Sequence, residues 1–256
     1  MRKRFFIAAV VVGPAALAAV AKIGSAAPVR VAAASDLKFA ITELAQQFES
    51  QARRSIQLSF GSSGQFAQQI RQGLPLDLYM SADEDFVFKL ADAGLTRDRG
   101  VLYALGRIAA VVPAASPVVL DPAMEGLRSP AARITHFAIA SPEHAPYGRA
   151  SQQALERLGL WQWARPKLVI GENIAQATQF VTSGAAQAGI TALSLAVAPE
   201  VARLARHVVL PERLHAPLRQ RMVLLKSASP QAGEFFAFLQ TEPARAVLRR
   251  YGFAFD

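Results

Sequence analysis

No cysteine occurs among the 256 residues, which excludes disulfides, thiolate metal sites and thiol nucleophiles. Such a chain, if exported, is stabilised by core burial alone, and 52% hydrophobic residues are enough to supply it. Charged residues make up only 18% and aromatics 8%. The basic residues form no block and the aromatics do not interleave with them, so nucleic acid is not an expected partner. Beyond residue 27 no apolar run approaches the roughly 20 residues of a membrane-spanning helix.

What is present begins at the N-terminus. Met1-Arg2-Lys3-Arg4 is a basic start, residues 7–20 are apolar but broken by Pro14, and Gly24-Ser25-Ala26-Ala27 is a small-residue exit. This is the pattern of a secretory signal peptide cut after Ala26 or Ala27. A membrane anchor is the alternative, disfavoured by the short run and by Pro14. Removal of residues 1–27 takes four of the 28 basic residues and no acidic one, leaving 24 against 19, a net +5. The soluble remainder of about 230 residues suffices for one large domain or two smaller ones.

Along that remainder two periodicities alternate. Residues 28–34, 56–60, 76–81, 108–112, 137–140, 168–170, 188–192 and 221–225 read as short strands. Residues 37–50, 65–72, 84–93, 150–158, 175–183 and 231–240 carry helical spacing. The pattern predicts an α/β fold of parallel sheets covered by helices on both faces, with the last segments returning to the first layer.

In open parallel sheets ligands bind beyond the carboxyl ends of the strands, so the strand-to-helix turns are the candidate site. Ala34-Ser35-Asp36 places Ser35 as an expected N-cap, and Gly61-Ser62-Ser63-Gly64 opens the second helix. Pro142-Glu143-His144-Ala145-Pro146-Tyr147-Gly148 and Gly171-Glu172-Asn173-Ile174 precede later helices, with Asn173 as N-cap. Helix starts carry N–H groups without intrahelical partners and about half a positive charge, so several aimed at one point hold an anion without Lys or Arg. Each turn alone is also ordinary capping or punctuation. Gly61–Gly64 lacks the ending of a nucleotide P-loop, and neither G-x-G-x-x-G nor G-x-S-x-G occurs in the expected context. His136, His144, His207 and His215 lack zinc spacing and read as turn or surface residues, and Asp77 and Asp83 as turn caps.

The stretches V-R-V-A-A-A-S, F-G-S-S-G, P-L-D-L-Y-M-S-A-D, S-P-E-H-A-P-Y-G, G-E-N-I-A-Q-A and R-Y-G-F occur in the order and spacing of the periplasmic molybdate-binding proteins of ABC importers. From Val29 to Phe253 the chain resembles that family. The resemblance implies a type II periplasmic binding protein: two Rossmann-like lobes joined by a two-strand hinge, residues 28–105 plus 213–256 in one and 106–212 in the other. It implies that Ser35 and Ser63 give hydroxyl and N–H donors, and Tyr147 and Ile174 backbone N–H donors, to a molybdate or tungstate oxyanion rather than to a bare metal ion. It implies no cofactor and no enzymatic activity, a membrane permease as partner, and a periplasmic monomer.

Two positions depart from the family pattern. Ala192 stands where some members place a Tyr hydroxyl on the anion, and Tyr147 offers its own hydroxyl in compensation. Asp36 beside Ser35 is a poor neighbour for an anion unless it points outward, where it would suit the helix dipole. Sulfate, also a bare dianion, is the alternative ligand. A secreted hydrolase using Ser35 or Ser63 with a histidine, and the effector domain of a transcription regulator, are the alternatives from other classes. The signal peptide and the lack of a DNA-binding helix pair oppose the last.

Overall fold

The computed structural model describes residues 27–129 and 132–255, so the expected signal peptide lies outside the described residues apart from Ala27. The chain opens with β1 (Val29–Ala34), a 3-10 turn (Ser35–Leu37), α1 (Lys38–Ala52), β2 (Ile56–Gly61), α2 (Ser63–Arg71), β3 (Leu78–Ser81), α3 (Glu84–Asp92) and β4 (Val101–Gly106). Then come β5 (Ile108–Pro113), β6 (Phe137–Ala140), α4 (Pro146–Arg157), α5 (Trp161–Ala164), β7 (Leu168–Gly171) and α6 (Ile174–Thr182). β8 (Ala188–Ala192), α7 (Leu193–Ala196), α8 (Pro199–Ala202), β9 (Ala205–Val209), β10 (Leu218–Leu224), α9 (Pro230–Phe238) and α10 (Glu242–Arg250) complete it.

These strands form two five-stranded sheets, ordered β2-β1-β3-β10-β4 and β7-β6-β8-β5-β9. The chain passes from the first to the second at Arg107 and returns through residues 210–217. Both sheets are mixed, which corrects the all-parallel expectation: β10 is antiparallel to β3 and β4, and β5 to β8 and β9. The cause is the crossover itself. β1, β3 and β4 run toward the face between the lobes, so a strand entering the next lobe starts at that face and runs away from it. β5 and β10 are the first strands after the two crossings, and they are the reversed ones.

Each lobe has its own core. β1 is buried except for half-exposed Arg30, as expected of a strand covered on both faces. α1 turns Leu37, Ile41, Leu44 and Phe48 into one cluster with Val31, Leu78, Met222 and Phe235, and the Phe48 and Phe235 rings lie 5.1 Å apart. In the second lobe Ile108, Phe137, Ile139 and Ile190 pack with Leu155 and Leu160. Six elements were not expected from the sequence: β4, the edge strand β9, α10, and the short helices α5, α7 and α8. α10 buries only Ala244, Val247 and Leu248, although Thr241 caps it by accepting from the Ala244 N–H, 3.4 Å away.

α4 begins at Pro146, one turn earlier than the periodicity indicated, and Gly148 makes that start possible. A Cβ on Gly148 would lie 2.3 Å from the Ser141 carbonyl oxygen and 2.5 Å from that of Ala140. Both obstacles are backbone and cannot rotate away. Overpacking of this kind costs about 1–3 kcal/mol. Gly148→Ala is therefore expected to lower Tm by several degrees, at about 2–4 °C per kcal/mol for a chain of this size. An unchanged Tm in calorimetry would show that α4 can retreat from β6.

Candidate functional site

Ser35, Ser63, Tyr147 and Ile174 line one cleft between the lobes, with Ser62, Asp36, Ala145 and Asn173 among their neighbours and no Lys, Arg or His among the described lining residues. Each of the four stands in the first turn of its helical segment. Their N–H groups have no preceding helical carbonyl to bind. Three helix starts, those of α2, α4 and α6, bring their positive dipole ends to this cleft. All four residues are buried. The cavity they enclose is only about 10 Å³, close to the space one water needs, so admitting a larger polyatomic ion requires the lobes to part. A wider groove of about 620 Å³ continues outward from Ser35 and Asn173 past Lys38 and Gln176.

The serine hydroxyls already serve as acceptors. Ser63 Oγ takes the Ala82 N–H at 3.0 Å, and Ser35 Oγ takes the Ala175 N–H across the cleft at 3.2 Å. Each hydroxyl therefore keeps its proton for donation to another group. Ser35 does not cap α1, as the sequence led us to expect, because its side chain reaches the other lobe instead. Asn173 does cap α6, accepting the Gln176 N–H at 3.1 Å. The Gly61–Gly64 turn meets the second lobe directly: Ser62 Oγ donates to the His144 carbonyl, and Gly64 N–H donates to the same oxygen at 3.0 Å. A Cβ on Gly64 would lie 2.6 Å from that oxygen, which explains the glycine.

Asp36 points inward, not outward. Its side chain is buried, with Oδ2 accepting from Gln220 Nε2 at 2.7 Å and from the Tyr147 hydroxyl at 3.1 Å. The Tyr147 hydroxyl is thus committed to Asp36 and Gln220 rather than to an anion, which corrects the compensation expected for Ala192. Tyr147 also lines the cleft. Gln220 Oε1 accepts from the Tyr103 hydroxyl at 2.6 Å, and the Asp36 carbonyl accepts from Ser194 Oγ at 2.8 Å. Asp36 Oδ1 is buried with no hydrogen-bond partner. Burial outweighs the hydrogen bonds that oppose it and pushes the Asp36 carboxyl up to about 6, while burial and the neighbouring Asp36 charge raise Tyr147 and Tyr103 well above their ordinary value.

Gln220, Ser62, Ser194 and Tyr103 were not anticipated. One signal was legible: on β10 Leu218, Gln220 and Met222 alternate inward, so Gln220 is a polar residue on an apolar face. Asp83 caps α3 as expected, accepting from Asp85 N–H, whereas Asp77 caps no turn: it accepts from the N–H groups of Arg30 in β1 and Ser229 before α9, both distant in sequence. His215 is buried in its turn rather than exposed, with Nδ1 2.7 Å from the Ala216 carbonyl oxygen, and burial lowers its pKa.

The Asp36 shift has a definite sign. Its pKa of about 6 in the folded protein exceeds the ordinary 3.8, so the protonated carboxyl contributes stability that is complete below 3.8 and lost as pH rises through 6. The difference of about two pKa units amounts to about 3 kcal/mol. Asp36→Asn cannot titrate. Urea unfolding should show the variant gaining on the wild-type protein between pH 4 and 7 by up to that amount, and a gap independent of pH would refute the assignment.

Comparison with known proteins agrees with this architecture. Residues 29–254 match the family model described as bacterial extracellular solute-binding protein. The chain is 32% identical to molybdate-binding protein ModA of Rhodobacter capsulatus, over 90% of this chain and 89% of that one. With ModA of Azotobacter vinelandii it is 34% identical, over 89% of this chain and 90% of the relative. The solved structure of the Azotobacter vinelandii periplasmic molybdate-binding protein superposes with a TM-score of 0.82 at 29% identity, covering 89% of this chain and 99% of the other. The chain belongs to the bacterial extracellular solute-binding protein family, alongside these ModA proteins.

Proposed function

We propose that this protein captures molybdate or tungstate outside the cytoplasmic membrane and delivers it to the permease of an ABC importer. The observation that carries this reading is the convergence of Ser35, Ser63, Tyr147 and Ile174, from both lobes, on one buried cleft with no Lys, Arg or His among its described lining residues. Two hydroxyls and the N–H groups of helix starts suit a dianion that needs no proton acceptor. The four residues are the proposed contacts of the oxyanion. The molybdate-binding relatives support the choice of ligand. The leader-like pattern of residues 1–27 supports a periplasmic location, and no helix among the described residues is long and apolar enough to cross a membrane. No catalytic role is assigned: the Ser35 and Ser63 hydroxyls engage backbone N–H groups, not an imidazole. Closure follows a hinge at Arg107 and residues 210–217, the two points where the chain changes sheets.

Calorimetric titration of the chain from Pro28 with molybdate, tungstate, sulfate and phosphate tests the reading. Sub-micromolar binding, about −8 kcal/mol or better, is expected for the first two alone. Equal affinity for sulfate would redirect the assignment. Ser63→Ala removes a hydrogen bond to a charged ligand, worth about 1.5–3 kcal/mol, and should weaken binding about tenfold to a hundredfold. Unchanged affinity in that variant would remove Ser63 from the site.

A further inference from the structure

Tyr147 joins two structures that other residues keep apart. Its backbone N–H belongs to the cleft, while its phenol crosses from the second lobe into a polar socket in the first. The socket consists of Asp36 Oδ2 at 3.1 Å and Gln220 Nε2 at 3.0 Å. Gln220 is itself fixed by the Tyr103 hydroxyl at 2.6 Å and by its bond to Asp36 at 2.7 Å. Gly106, the last residue of β4, leaves room for the phenol: a Cβ there would lie 2.4 Å from Tyr147 Oη and 2.6 Å from Gln220 Nε2. The socket therefore sits between the anion cleft, which Asp36 also lines, and the crossover at Arg107.

Other links between the lobes differ in kind. The bonds to the His144 carbonyl, from the Ala175 N–H and to the Asp36 carbonyl each use backbone on one side. The Arg149–Asp83 ion pair is partly exposed, so water and salt screen it. Tyr147–Asp36–Gln220 alone among these joins side chains that are buried on both sides, where a hydrogen bond is strongest and an unmade one most costly.

We propose that Asp36 and Gln220 are positioning residues that dock the Tyr147 phenol and so set how long the lobes stay shut over the bound anion. The inference rests on the anion-binding reading above. In the open state the phenol leaves its socket and is free to meet water, so the lock acts on escape and not on entry. The same docking holds the start of α4, and with it the Tyr147 N–H, against the cleft.

The test is stopped-flow measurement of molybdate association and dissociation on the mature chain, with the unliganded Tm as a control. Tyr147→Phe keeps the ring and its backbone N–H and deletes only the hydroxyl. It should speed dissociation about tenfold, leave association within about twofold, and leave the unliganded Tm within about 2 °C. Asp36→Asn retains an amide oxygen for the phenol and should speed dissociation less than Asp36→Ala. A loss expressed in association, an unchanged dissociation rate, or a fall in unliganded Tm that accounts for the lost affinity would each overturn the lock while leaving the binding reading intact. Failure of the wild-type protein to bind molybdate would overturn the binding reading, and the lock with it.

Discussion

The cleft depends on strand direction. β1, β2, β6 and β7 all end at the face between the two lobes, and the helical segment after each of the first two meets those after the others across a gap. A strand running the opposite way would present the negative end of a helix there, and the donors would be replaced by carbonyls. Connectivity enforces the arrangement. Each lobe accepts one reversed strand, β5 or β10, at the point where the chain arrives, and that reversal lets β1 and β3 in one sheet and β6 and β8 in the other all run toward the shared face.

Within this frame a buried acid sits beside the proposed anion site. Asp36 has no basic partner in contact, only a carboxamide and a phenol, and one of its oxygens is left without any hydrogen bond. Desolvation of a carboxylate in such a place is expensive, and the raised pKa is its expression. Placing the acid where both lobes reach it gives the closed arrangement a polar network in which Asp36, Gln220, Tyr103 and Tyr147 orient one another, a specificity that apolar packing alone does not supply.

Much of this was legible from residue order. The apolar spacing of Leu37, Ile41, Leu44 and Phe48 predicts a helix; α1 buries the last three, and Leu37 is buried at the end of the 3-10 turn that leads into it. Asn173 before an apolar run marks the start of α6, and the cap is present. The glycines at the strand-to-helix turns announce where strands hand over to helices, because only glycine tolerates the close backbone approaches seen at Gly64 and Gly148. Elements with little buried surface were harder. α10 is rich in arginine with only a narrow apolar face, and β9 is an edge strand whose exposed side weakens the alternation.

The sequence by itself therefore determined most of the long elements, their order and the four turns that line the cleft, since local periodicity and capping chemistry are written in neighbouring residues. The tertiary structure decided which way Asp36 points and what the Tyr147 hydroxyl does. Those outcomes turn on Gln220 and Gly106, 184 residues from Asp36 in the first case and on the opposite side of the cleft from the second lobe's helix in the other. A side chain that has a local reason to face solvent will turn inward when distant residues build it a socket, and only the packed fold brings those residues together.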